Sequence, residues 1–170
     1  MNLKDKLREV PDFPEEGILF KDITPILQDI EAFDEVIDRF IEEYKEKEFD
    51  YIAAIEARGF LLGPILSREM GKGFIPIRKP GKLPCEKISA TYELEYGENT
   101  LEIHTDAINP GDKVLLIDDL LATGGTSNAA IELIEKLEGE VVSAGYLIEL
   151  VDLNGRDHLQ DYDIFSIMKE

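Results

Sequence analysis

The residues best suited to chemistry stand together in one run, Val114-Leu115-Leu116-Ile117-Asp118-Asp119-Leu120-Leu121-Ala122-Thr123-Gly124-Gly125-Thr126. Its first four residues, all apolar, predict a buried strand of a parallel sheet. Two carboxylates follow where that strand is expected to end, and open α/β sheets bind ligands at the carboxyl ends of their strands. Small and hydroxyl-bearing residues from Ala122 to Thr126 then lead into a helical pattern marked by Ala130, Leu133, Ile134 and Leu137. A Gly-rich turn at a helix start offers free backbone N–H groups and the positive end of the helix dipole to an anion. A tight strand-to-helix turn would account for Gly124 and Gly125 alone. It would not account for two charges beside an apolar strand, where uncompensated charge is costly. An anion cradle with an acidic pair beside it suits a sugar phosphate.

Carboxylates accept hydrogen bonds from cis-diol hydroxyls, and they stabilise positive charge that develops when an anomeric bond loosens. Asp118 and Asp119 are therefore candidates for both tasks. The alternative is a role as metal ligands only, since neighbouring residues on a strand point to opposite faces. Thr123 and Thr126 add hydroxyl donors, or cap the helix. Arg58 follows an apolar run and precedes Gly59, where backbone can approach a ligand closely. Arg78, Lys79 and Lys82 place three cations within five residues of a chain that has only 18 Lys and Arg. The Pro80-Gly81 break inside that cluster favours a shaped anion-binding loop over a solvated face. Glu93 and Glu95 share one face of an expected hairpin. His104 and His158 have no cysteine or carboxylate at metal-ligand spacing and are given no role.

These groups need elements to hold them. Leu3, Leu7 and Val10 predict a short helix closed by Pro11, and residues 17–27 an extended, Pro-punctuated loop. Apolar residues at helical spacing predict an amphipathic helix over 31–47. Tyr51–Ile55 reads as a buried strand, Phe60–Met70 as a helix stopped by Gly71, and Phe74–Ile77 as the next strand. Alternation around Tyr92, Leu94 and Tyr96, and again at Leu101 and Ile103, predicts a hairpin. Strands are expected at 141–148 and 164–167. The order implies an α/β fold, with residues 1–170 forming a single domain whose mainly parallel sheet is flanked by helices and carries an inserted β-hairpin. A net charge of −19 argues against a nucleic-acid binder. No apolar run reaches the ~20 residues that span a bilayer. The charged start and lone Cys85 point to a cytoplasmic protein without internal disulfides.

The segment from Val114 to Thr126 resembles the 5-phosphoribosyl 1-pyrophosphate (PRPP) motif of the type I phosphoribosyltransferases. Further blocks resemble the adenine-specific branch of that family: Phe13-Pro14, Gly17 to Ile23, Glu56-Ala57-Arg58-Gly59-Phe60, Arg78 to Pro84 and Tyr92 to Gly97. The resemblance implies a homodimeric purine-salvage enzyme that converts adenine and PRPP to AMP and pyrophosphate, with magnesium carried on the substrate and not held directly by protein ligands. It implies that Asp118 and Asp119 contact the ribose and that Ala122, Thr123, Gly124, Gly125 and Thr126 hold the 5′-phosphate. Arg58, Arg78, Lys79 and Lys82 would grip pyrophosphate. Leu19, Phe20, Arg58 and Leu150 would frame adenine. Glu95 would handle the purine proton, and Tyr96 would belong to a lid formed by residues 79–106. The peptide between Glu56 and Ala57 is often cis in the family. Lys21 stands where relatives often have arginine. The alternatives are a phosphoribosyltransferase for xanthine or guanine, and a PRPP-sensing regulator. The regulator would need a basic surface or an added nucleic-acid module, and neither is evident in the sequence.

Overall fold

The computed structural model describes residues 1–93 and 97–170. Among these, the strands are β1 (Arg8–Pro11), β2 (Leu19–Asp22), β3 (Tyr51–Ile55), β4 (Gly73–Ile77), β5 (Lys87–Glu93), β6 (Glu98–His104), β7 (Lys113–Leu121), β8 (Glu140–Glu149) and β9 (Ile164–Lys169). The α-helices are α1 (Thr24–Gln28), α2 (Ile30–Tyr44), α3 (Gly63–Met70) and α4 (Gly125–Lys136). Five strands form one parallel sheet in the order β4-β3-β7-β8-β9, and β1-β2 and β5-β6 are separate antiparallel pairs.

Alternation along β7 explains why its apolar run is continuous. Leu115 and Ile117 pack on one face with Val36 and Phe40 of α2 and Leu66 of α3, while Val114 and Leu116 pack on the other with Ala130 and Leu133 of α4. Both faces of the strand are covered, so polar residues have no place until the sheet ends. The same second face receives Ala90, Leu101 and Ile103 from the β5–β6 hairpin. Arg78 and Glu102 tie that hairpin to the end of β4 through two backbone hydrogen bonds of 3.0 and 2.7 Å.

Strand order also dictates where a ligand can lie. From β3 the chain crosses through α3 to β4 on one side; from β7 it crosses through α4 to β8 on the other. The crevice between β3 and β7 is thus a topological switch point. Pairing of the two strands stops at Ala54 and Ile117, whereas β7 stays paired with β8 as far as Leu121 and Glu149. Asp118 and Asp119 therefore lie on a strand that continues past its neighbour. They stand at the open edge of the crevice instead of at the strand's end.

Two local expectations are corrected. Residues 3–10 do not form one helix: a single 3-10 turn at Leu3–Lys6 gives way to β1, which pairs antiparallel with β2. Residues 17–27 are not a plain loop, since they hold β2 and most of α1, with Pro25 in the first turn of that helix. Both short elements draw their stability from partners distant in sequence, which overrides weak local preference. The 31–47 helix runs from Ile30 to Tyr44, its start capped by Asp29, whose side chain accepts from the N–H groups of Glu31 and Ala32. Gly71 closes α3 at φ 66°, as its glycine predicts.

Candidate active site

A cleft of ≈ 390 Å³ occupies the crevice, lined by Ile55 at the end of β3 and Glu56, Ala57 and Arg58 beyond it, and by Asp118, Asp119 and Leu120 of β7 with Ala122, Thr123, Gly124, Thr126 and Ser127 after that strand. Lys79 borders it, and Tyr92, Asn99 and Leu101 close it from the hairpin. The cradle turns sharply at Gly124, whose φ of 90° lies in the left-handed region that an L side chain enters only with strain. The first helical hydrogen bond of α4 runs from the Asn128 N–H to the Gly124 carbonyl at 2.9 Å. The N–H groups just before Asn128 are those a helix start leaves for an incoming anion.

Asp118 and Asp119 both border the cleft although they are strand neighbours. The Asp119 N–H donates to Asp118 Oδ1 at 2.9 Å, holding the Asp118 carboxylate against the backbone of its neighbour. Burial pushes the Asp118 carboxyl well above the usual carboxylate range, and the Asp119 charge adds to the rise. Burial raises Asp119 as well, opposed by the Arg58 guanidinium, whose Nε lies 2.7 Å from Asp119 Oδ2. Arg58 in turn lies over the Phe20 ring at 5.5 Å, and Phe13 meets Phe20 edge-on at 5.2 Å. A chain of contacts thus links the acidic pair to the aromatic residues of the β1–β2 hairpin.

The expected cations separate. Lys79 borders the cleft, and its backbone N–H donates to Glu56 Oε1 at 2.6 Å. Arg78 is turned to Glu56, with Nε 3.3 Å from Oε1, and its guanidinium covers the Phe60 ring at 5.8 Å. Lys82 is exposed and outside the cleft lining. Among the framing residues, Leu19 is half exposed, and the Leu150 N–H donates to the Leu121 carbonyl at 2.9 Å, just before the cradle. Gly125 lies behind the Tyr92 ring. The Thr126 hydroxyl donates to the Tyr92 hydroxyl at 3.0 Å. The Glu56–Ala57 peptide is cis. Lys21 bonds to Glu9 and lies 3.3 Å from Glu170 Oε2, on the side of β2 away from Arg58. Glu95 and Tyr96 lie outside the described residues.

Sequence reasoning passed over Glu56, Tyr92, Asn99 and Ser127 as site residues. Glu56 carried the same signal as the acidic pair, a charge directly after an apolar strand. Tyr92 and Asn99 are opposite one another in the hairpin register, a pairing that alternation alone does not reveal. Ser127 accepts from the Tyr146 hydroxyl at 2.6 Å, so its place depends on β8.

The chain matches the phosphoribosyl transferase domain family over residues 24–169. It is 62% identical over 170 residues to the adenine phosphoribosyltransferase of Halothermothrix orenii, covering all of both chains. The crystal structure of the adenine phosphoribosyltransferase of Thermoanaerobacter pseudethanolicus superposes with a TM-score of 0.96 at 52% identity, covering 99% of this chain and 98% of that one. The Saccharomyces cerevisiae enzyme, solved with adenine and an imino-altritol bisphosphate, superposes at 0.91 with 45% identity, covering 96% and 95%. Fold, cleft and full-length similarity lead to one assignment: this chain belongs to the adenine phosphoribosyltransferase family.

Proposed function

We propose that the chain transfers the phosphoribosyl group of PRPP to adenine, giving AMP and pyrophosphate. The observation that carries this reading is a helix-start turn suited to an anion next to two buried carboxylates in one switch-point cleft. The 5′-phosphate would sit on the backbone of Ala122–Thr126, with Thr123 and Thr126 adding hydroxyls. Charge-assisted hydrogen bonds of this kind contribute about 1.5–3 kcal/mol each. That places the ribose over Asp118 and Asp119, which accept from its hydroxyls. As the bond from the anomeric carbon to pyrophosphate breaks, its electron pair leaves with pyrophosphate. The carboxylates stabilise the positive ring, and adenine N9 forms the new bond.

Arg58 and Lys79 face the leaving group, with Arg78 and Lys82 reaching it only by turning from their present positions. Phe20 stacks on adenine once the Arg58 guanidinium turns off its ring, the backbone at Arg58 lines the base pocket, and Leu19 and Leu150 border the base. Glu95 accepts the N9 proton and Tyr96 closes over the site. Both roles rest on the sequence resemblance. Among the described residues no three His, Cys, Asp or Glu side chains gather as a metal site, and Asp119 is engaged by Arg58. Magnesium would be held through the pyrophosphate oxygens, as a hard cation that takes oxygen donors from its substrate. When bound, the ion neutralises charge on the leaving group. The same reading makes the protein a cytosolic homodimer, supported by its single, exposed cysteine and by the exposed Phe13, Ile18 and Leu19 around the β1–β2 hairpin. No helix of the described residues is long and apolar enough to cross a membrane.

The test is conversion of labelled adenine to AMP by the purified chain. Product is expected only with PRPP and magnesium present, and unlabelled guanine or xanthine should compete poorly. Equal use of guanine would overturn the base assignment. Glu95→Gln is expected to lower kcat by ~10²-fold or more with little change in KM for PRPP; near-normal turnover would remove Glu95 from the mechanism.

A further inference from the structure

Behind the cradle lies a segment that the proposed chemistry does not use. The 3-10 turn Gly155–His158 presses its backbone against the cradle and is not part of the cleft lining. A Cβ at Gly155 would lie 2.4 Å from the Ala122 carbonyl oxygen, and one at Gly124 would lie 2.7 Å from the Gly155 carbonyl oxygen. Leu159, just beyond the turn, is buried in the core, and within the turn the side chain that bonds to the sheet is Arg156. Arg156 grips Glu149 through two hydrogen bonds, Nε to Oε1 at 2.7 Å and Nη2 to Oε2 at 2.9 Å. It also donates through Nη1 to the Ile164 carbonyl at 3.2 Å. Glu149 is buried, accepts from the Ser166 hydroxyl at 2.5 Å, and stands opposite Leu121 in the sheet register, one residue before the cradle begins.

We propose that Arg156 is a positioning residue for phosphate binding: by clamping the Gly155 turn to Glu149, it fixes the backing against which Ala122–Gly124 take their anion-binding shape. A flexible backbone would have to order its N–H groups when the phosphate arrives, and that entropy loss would weaken binding. The clamp removes most of that cost in advance. The planar, bidentate guanidinium matters because a lysine at the same place makes a single-point contact. The inference rests on reading residues 122–126 as the phosphate cradle.

The experiment measures ribose 5-phosphate binding by calorimetry, with AMP-forming kinetics, for wild type, Arg156→Ala, Arg156→Lys and Gly155→Ala. Arg156→Ala is expected to weaken ribose 5-phosphate and raise KM for PRPP by roughly ten-fold or more, with kcat and the KM for adenine changed less than about three-fold. Arg156→Lys should recover part of the loss. Gly155→Ala leaves every charge in place but crowds the Ala122 carbonyl, and should reproduce the defect; it also keeps the inference testable if Arg156→Ala does not fold. Variants that melt at lower temperature yet bind ribose 5-phosphate like wild type would overturn the clamp while leaving the cradle intact. Failure of wild type itself to bind ribose 5-phosphate would overturn the cradle reading, and the clamp with it.

Discussion

Burial sets an energetic penalty on ionising Asp118. Its raised pKa means that, above the ordinary carboxylate range near ~4, the folded chain holds this proton more tightly than the unfolded chain does. Stability therefore falls as pH rises from that range through the folded value, and the destabilisation is fully present above it. Asp118→Asn removes the charge and keeps the shape. At pH 7 this variant is expected to melt about 2–4 °C higher without ligand, and the gain should vanish as pH approaches 4. Its AMP-forming rate should fall by ~10²-fold or more. Calorimetry at both pH values, set beside the activity assay, checks the pair; a variant less stable than wild type at pH 7 would mean that the carboxylate is well compensated. The acidic pair was legible as an anomaly of residue type, because charges rarely follow a buried strand. Its partner was not: the contact of Arg58 with Asp119 depends on β3 and β7 being neighbours.

At the scale of elements, α4 and the turn before it carry the phosphate proposal. Gly124→Ala must hold an L residue at φ 90° and place a methyl group 2.7 Å from the Gly155 carbonyl oxygen. A loss of about 1–3 kcal/mol in stability is expected, together with ribose 5-phosphate affinity reduced by more than ten-fold. Chemical denaturation and calorimetry read the two effects separately. Unchanged binding would place the phosphate elsewhere. The helices α2 and α4 and the strands β3 and β8, whose periodicity or apolar runs are clear, fall close to where the sequence puts them. The two short N-terminal strands were missed. Four residues each, they are stabilised by mutual pairing and by the ion pairs of Arg8 with Asp22 and Lys21 with Glu9, none of which leaves a periodic trace.

For the molecule as a whole, a net charge of −19 is a source of self-repulsion that salt relieves. Raising sodium chloride from ~20 to ~200 mM is expected to raise the melting temperature by a few degrees, since the Debye length shrinks by about three-fold over that range. A falling melting temperature would show that attractive surface pairs, such as Lys4 with Glu170 and Lys47 with Asp163, outweigh the repulsion. Saturating AMP should stabilise further: at a hundred times Kd the gain is about 2.7 kcal/mol, or ~5–10 °C for a chain of this size. Absence of any shift with AMP would count against nucleotide binding in the cleft. The acidic exterior is compatible with an anionic substrate because Arg58 and Lys79 stand at the cleft, and distant charges are screened.

Residue types and short-range spacing determined the parallel α/β architecture, the Gly-rich turn proposed as the phosphate cradle and the acidic pair beside it, because apolar runs, glycines and misplaced charges are local signals. Tertiary structure decided which cation meets which carboxylate. It engaged Arg58 with Asp119, turned Arg78 to Glu56, seated Tyr92 on the cradle and set the Gly155 turn behind it. Those contacts join residues far apart in the chain, and strand order and sheet register bring them together.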